Sequence, residues 1–197
     1  EALDALTQAA HAVTAARVAG APVVTLDPER MVVTKATHAA SGFTLVLEDF
    51  WVRRWMHDAA EERPAQTPRA VLWSAPEALE ALEAGRDVDE SSEVWSFALL
   101  AFFLLTGVRF WRSAEQGADA TVTAALKETS AEVRDAASER ARALGRPGKL
   151  PQGFDGWFAR CLADDATQRF STVRSALDAL APMLRGAASS PFAATSS

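Results

Sequence analysis

The sequence predicts a mainly α-helical fold, a helical bundle around one buried central helix with a small β-hairpin toward its N-terminal side. Three observations predict it. The stretch Val94-Trp95-Ser96-Phe97-Ala98-Leu99-Leu100-Ala101-Phe102-Phe103-Leu104-Leu105 is apolar on nearly every side of a helix, and such a helix must be surrounded by protein. Phe154, Trp157, Phe158, Cys161 and Leu162 recur at the spacing of one helical face, as do Val173, Leu177, Leu180 and Leu184. Only two short runs, 31–34 and 43–47, are β-prone, and the polar connection between them contains Ser41-Gly42.

The remaining elements follow in order. Residues 1–18 place Leu3, Leu6, Ala10 and Val13 on one stripe, and Gly20 and Pro22 end that helix. The stretch from His57 to Arg69, with Glu61, Glu62, Arg63, Pro64 and Pro68, reads as an exposed loop. Ser91 or Ser92 is placed to cap the central helix and Gly107 to end it. Two helical stretches are expected at 120–127 and 130–144; the second is highly charged, with a thin stripe of Val133, Ala137, Ala141 and Leu144, and is expected on the surface. The run 145–151 is a turn, and Ser171 is placed to cap the last helix. After Arg185 the chain becomes Ala- and Ser-rich, and 186–197 is expected to be a flexible tail or linker.

Composition narrows the classes. The 197 residues suit one domain, and the apolar share of 49% is enough for a core. Alanine supplies 42 positions, so Leu, Val, Phe and Trp must fill most of the interior. The net charge of −6 comes without a basic cluster, which argues against nucleic acid or an anionic membrane as the main partner. A single cysteine excludes an intramolecular disulfide and suits a reducing, cytoplasmic setting. The longest apolar run, 97–105, is about half the ~20 residues needed to cross a bilayer.

Most chemical motifs are missing. His11, His38 and His57 share no ligand spacing, so no metal site is expected. Gly145 and Gly148-Lys149 lack the spacing and the following Ser or Thr of a phosphate loop. There is no Gly-x-Ser-x-Gly elbow, and Cys161 falls on an apolar helical face, where it packs as core. The carboxylates Asp87, Asp89, Glu90 and Glu93 precede the buried helix, and the simplest reading is that they favour its positive end.

One constellation stands above these. Leu47-Glu48-Asp49-Phe50-Trp51 follows the hairpin, and Trp73-Ser74-Ala75-Pro76-Glu77 comes some 25 residues later. Asp89-Glu90-Ser91-Ser92-Glu93-Val94-Trp95-Ser96 then leads into the buried helix, and the stretch from Cys161 through Asp164-Asp165 to Arg169-Phe170-Ser171 precedes the last one. In order and spacing, these blocks resemble the C-terminal lobe of eukaryotic-like Ser/Thr protein kinases in bacterial style, from Leu3 to about Leu184. The resemblance implies a kinase-like C-terminal lobe over 1–185, with an N-terminal lobe outside this chain. It sets Asp49-Phe50-Trp51 at the metal-binding Asp-Phe-Gly motif and Ala75-Pro76-Glu77 at Ala-Pro-Glu. Arg169 falls on the arginine that pairs with that glutamate, and Glu93 on the aspartate that holds the catalytic-loop backbone.

The departures bear on function. Aligned through Leu26 and Pro28, Thr25 stands at the catalytic base, Asp27 at the phosphate-contacting lysine and Arg30 at the metal-binding asparagine. A threonine hydroxyl does not accept a proton near neutral pH as a carboxylate does. Asp27 in place of lysine reverses the charge offered to a γ-phosphate. Trp51 in place of glycine puts an indole at the nucleotide mouth, which leaves Asp49 as the residual candidate for cofactor contact, or simply a turn-forming carboxylate. The expectation is a catalytically inactive pseudokinase, not an enzyme. It would use no cofactor and act as a signalling scaffold through protein partners, such as a kinase or signalling complex. Glu77, Arg169, Glu93 and Trp51 would serve structure. The rival is a divergent ATP-dependent kinase, or a nucleotide-binding pseudokinase, using Asp49 with an N-terminal lobe outside this chain.

Overall fold

The computed structural model describes residues 1–21, 23, 25–37, 39–47, 67–84, 86, 88–115, 121–131 and 134–188. The first helix, α1 (Ala2–Val18), lays Ala5, Leu6, Ala9, Ala10, Val13 and Ala16 against the core, a stripe of small residues that lets neighbours approach closely. It ends at Ala19, followed by Gly20 at φ 74°. A short 3₁₀ turn (Pro28–Arg30) leads into β1 (Met31–Lys35), which pairs antiparallel with β2 (Phe43–Leu47) in the register Met31↔Leu47 to Lys35↔Phe43. The hairpin is fastened to α1 by one side chain. The Gln8 amide donates to the Phe43 carbonyl at 3.1 Å and accepts the Leu45 N–H at 2.8 Å.

Two short helices follow, α2 (Pro68–Trp73) and α3 (Pro76–Glu83). The sequence reading passes over both, although the signals stand in the chain. Thr67 caps α2 by accepting the Ala70 N–H at 3.1 Å, and each helix begins at a proline, which suits a first helical position. The expected loop over 57–69 therefore gives way to helix at Pro68, and its residues 57–66 lie outside the described residues.

The central helix is α4 (Glu90–Thr106), buried continuously from Ser92 to Phe102 and ended by Gly107 at φ 75°. Its N-cap is Asp89, without a side-chain capping bond, in place of the expected Ser91 or Ser92. Ser92 is spent elsewhere, donating its hydroxyl to Glu77 at 2.8 Å. Around α4 stand α1, α7 (Phe154–Cys161) and α8 (Val173–Ala188). Aromatic rings join these layers: Phe102 meets Phe110 at 5.3 Å and Phe158 at 5.7 Å. The Trp157 indole N–H donates to the Ala176 carbonyl at 2.9 Å, tying α7 to α8.

The region expected as helix over 120–127 and 130–144 is cut differently, into α5 (Val122–Thr129) and α6 (Ala137–Ala143). Residues between them are drawn into tertiary bonds. Arg134 donates to the carbonyls of Thr129 and Leu162 and to Asp164, and a helix through this stretch would pull it from all three. Nor is α6 merely a surface helix. Arg140 is buried on it and donates to the Phe110 carbonyl at 2.5 Å. The last helix opens with a reciprocal pair, in which the Thr172 hydroxyl accepts the Ser175 N–H and the Ser175 hydroxyl accepts the Thr172 N–H. The capping hydroxyl is thus Thr172, one residue after the expected Ser171. The helix also continues through Pro182 to Ala188, past the expected end at Arg185.

Phe102→Ala should destabilise the protein by about 3–5 kcal/mol, the usual cost of emptying a fully buried aromatic site. Urea unfolding followed by far-UV circular dichroism measures it, and a loss below about 1 kcal/mol would mean the core had closed over the cavity.

Candidate functional site

The segment joining α1 to the 3₁₀ turn carries Thr25 and Asp27, the turn itself ends in Arg30, and the segment's backbone is held from α4. The Val23 N–H donates to Glu93 at 2.9 Å and the Leu26 N–H to the Ser96 hydroxyl at 2.6 Å. The other Glu93 oxygen accepts Arg17 Nε at 2.8 Å, and Arg17 also reaches the Val88 carbonyl. Burial pushes the Glu93 carboxyl above its ordinary value, against the pull of Arg17 and the Val23 N–H.

Each predicted site residue on the segment has a structural partner or place. The half-buried Thr25 hydroxyl lies 2.9 Å from that of Ser74, which is fully buried. Asp27, 2% exposed, accepts the Glu29 N–H at 3.1 Å and so caps the 3₁₀ turn. Its second oxygen accepts Arg69 Nε. Glu29 in turn receives both Arg69 and Arg109. Asp27 is therefore not a bare negative charge: two carboxylates, Asp27 and Glu29, face two guanidinium groups. The expected repulsion of a phosphate is largely cancelled by neighbours that lie 42 and 80 residues away along the chain. The hydrogen bond and charge of Asp27, with Glu29 behind it, raise the Arg69 pKa despite partial burial. Arg30 ends the turn and is half-buried. Asp49 and Trp51 lie outside the described residues.

The one buried carboxylate of the described part of this segment, Asp27, is already engaged by a cation and a backbone N–H. Cys161 offers no nucleophile, since burial raises its thiol far above the ordinary range.

At the other end of this network the structure brings together Glu77 at the start of α3 and Arg169 after the 3₁₀ turn 166–168. The contact is bidentate: Arg169 Nη1 meets Glu77 Oε1 at 2.5 Å and Nη2 meets Oε2 at 3.1 Å. The guanidinium is wholly buried. It also donates to the Ala163 carbonyl at 2.7 Å and lies over the Trp95 ring at 5.0 Å. Burial alone would raise the Glu77 carboxyl, but Arg169 and the Ser92 hydroxyl outweigh it and hold it below its ordinary value. The sequence reading misses Arg17, Arg69, Ser74, Ser96 and Arg109. No local signal marks them, because each meets its partner only through the fold.

No family model matches the sequence, and no curated protein matches it. Solved structures do. The kinase domain of Mycobacterium tuberculosis PknI superposes with a TM-score of 0.57 at 22% identity, over 93% of this chain and 55% of that one. A double mutant of the same domain gives 0.56 at 21% identity, over 92% and 53%. The fold is thus protein-kinase-like, mainly helical with a two-stranded antiparallel sheet, and the chain spans about half the length of the kinase domains it matches. These neighbours overturn the expectation that the chain is not an enzyme. The solved structures it resembles are kinase domains, and at such identity the likeness carries the fold without deciding activity.

Glu77→Ala strands the buried Arg169, and breaking such a pair costs about 3 kcal/mol, the low end because Glu77 is itself 37% exposed. Urea midpoints measure the loss. The two glutamates should also give opposite pH signatures. Glu77, held low, contributes stability that is complete above its unfolded-state pKa and lost as pH falls through its folded one. Glu93, held high, contributes stability that is complete below its unfolded-state pKa and lost as pH rises through its folded one. Urea midpoints taken between acid and neutral pH should show the deficit of Glu77→Gln shrinking toward acid. Glu93→Gln should gain on the parent protein as pH rises, and parallel curves for both would contradict these assignments.

Proposed function

We propose that this chain works as a protein-interaction scaffold of the pseudokinase type, built on the C-terminal-lobe part of a kinase-like fold and acting in signalling. One observation carries the reading. The segment 23–29 is arranged as a structural joint, with Asp27 capping a turn and bound to Arg69, Thr25 bonded to Ser74, and the backbone pinned by Glu93 and Ser96. Side chains with these commitments hold shape, and shape is what a scaffold presents. Glu77 and Arg169 act in the same sense by fastening α3 to the base of the bundle. Residues 1–185 form the working unit in this reading, and the Ala/Ser-rich end serves as a linker. Among the described residues no helix is long and apolar enough to cross a membrane.

The kinase-domain neighbours favour a second reading, phosphoryl transfer that uses Asp49 together with a lobe outside this chain. The two part in one experiment on the full-length protein. The scaffold reading expects reproducible co-purification of a protein partner and no Mg·ATP-dependent rise in melting temperature. A thermal shift abolished by Asp49→Ala, together with labelled product, would replace it with the kinase reading.

A further inference from the structure

The β-hairpin has two edges, and the described residues close only one of them. On β2 the Leu45 N–H and the Phe43 carbonyl are both bonded to the Gln8 amide, so these groups point away from β1. Alternation along the strand then turns Thr44 and Val46 toward β1, where they oppose Thr34 and Val32. The bond from the Ala36 N–H to the Gly42 carbonyl, at 3.1 Å, fits the same alternation. On β1 the N–H and C=O groups of Val33 and Lys35 therefore point outward. No hydrogen bond reaches them among the described residues, whereas the Met31 N–H is taken by the Pro28 carbonyl. The side chains here are uncovered as well. Val32, Val33, Thr34 and Lys35 are all exposed, Val33 by 63%. Of the five exposed large apolar side chains among the described residues, Val32, Val33 and Val46 lie on the hairpin, so apolar surface is gathered there. Proteins commonly blunt such an edge with a bulge, a proline or charge. β1 pairs one-to-one from Met31 to Lys35, has no proline, and carries a single charge at its end.

From this edge we infer that β1 takes an extended segment of a protein partner as a third, antiparallel strand, with an apolar side chain opposite Val33 and a carboxylate opposite Lys35. This rests on the interaction reading above and names the chemistry of what the scaffold recognises. Gln8 shows on β2 what the open edge lacks. One side-chain amide supplies a donor and an acceptor there, and an extended backbone supplies both in series. Apolar contact comes from Val33, whose side chain stands beside the buried Leu45 on the same face of the hairpin. Charge selects the occupant. Arg30 and Lys35 flank the apolar part of β1, and neither has an ion-pair partner among the described residues. A second copy pairing antiparallel about Val33 would set Lys35 of each chain beside the Arg30–Met31 end of the other, gathering cations at both ends. Like charges across neighbouring strands are unfavourable and opposite ones favourable, so an acidic partner strand fits this edge better than the chain itself does.

The test uses the full chain labelled with ¹⁵N-lysine, whose 3 lysines each give a backbone amide signal. Lys35→Arg removes one signal and so identifies it. The probe is the acetylated and amidated peptide Thr-Glu-Thr-Val-Thr-Val-Thr, which in antiparallel register sets its Glu against Lys35 and a Val against Val33. Titration should move the Lys35 amide saturably and slow its hydrogen exchange about tenfold at saturation, as a new ladder bond protects it. The signals of Lys127 and Lys149 should stay in place. Replacing the peptide's Glu by Lys should weaken binding by up to about fivefold, the size of one cross-strand charge pair. Lys35→Glu should reverse that preference, read by fluorescence anisotropy of labelled peptides. Val33→Pro withdraws one outward donor and leaves the β1–β2 ladder intact, a change tolerated at an open edge. It should abolish the response, with the Lys127 and Lys149 signals reporting that the variant is folded. A Lys35 amide that neither shifts nor gains protection, equal affinity for the two peptides, or undiminished binding by Val33→Pro would each overturn the proposal. So would Lys35 protection that rises with protein concentration alone, which would give the edge to a second copy. ATP-dependent product formation would instead overturn the scaffold reading and leave this titration unchanged.

Discussion

A helix enclosed on all sides has no water for its polar groups, and the first half of α4 buries two serines and a glutamate, Ser92, Glu93 and Ser96, none more than 1% exposed. Each must find a protein partner or incur a desolvation cost of about 1–3 kcal/mol, more for the charged one. The partners they find organise the rest of the molecule. Glu93 and Ser96 fix the backbone at Val23 and Leu26 and enlist Arg17 from α1. Ser92 meets Glu77, which holds Arg169, so the start of α3 and the approach to α8 are drawn to the same end of the central helix. The apolar half of α4 then only has to be covered, and α1, α7 and α8 cover it.

The same arrangement governs the chemistry near Thr25. A segment held at two backbone N–H groups, at a hydroxyl pair and through an Asp27–Arg69 ion pair has few side chains left to meet a ligand. Bonds to Arg69 and Arg109 link this segment to α2 and to the stretch after α4, so three parts of the chain are joined through two carboxylates. Backbone groups without partners among the described residues lie elsewhere, along the outer edge of β1. The two regions therefore have different characters: one is saturated by its own neighbours, and the other has donors in reserve.

Much of the fold could be read from the sequence because it rests on short-range patterns. The central helix, its glycine stop, the hairpin strands and the amphipathic 154–162 face all follow from spacing of a few residues. The differences arise where local geometry is overruled from a distance. Arg134 falls in a run of helical composition, yet its contacts to Thr129, Leu162 and Asp164 set it outside both α5 and α6. Ser92 has the chemistry of a cap and is taken by Glu77. The helices α2 and α3 escape a periodicity reading although Thr67, Pro68 and Pro76 mark their starts, because they are short and sit among polar and proline-rich residues.

By itself the sequence determined which segments must be buried and what kind of side chain stands at Thr25, Asp27 and Arg30, since periodicity and side-chain chemistry are properties of neighbours along the chain. Tertiary structure alone decided what those residues do. Asp27 reads as an unpaired negative charge until Arg69, 42 residues on, is folded against it. Arg140 reads as a solvated cation until burial sets it against the Phe110 carbonyl. Charge compensation, desolvation and the placing of unfilled donors depend on distances through space, and those exist only once the helices have packed.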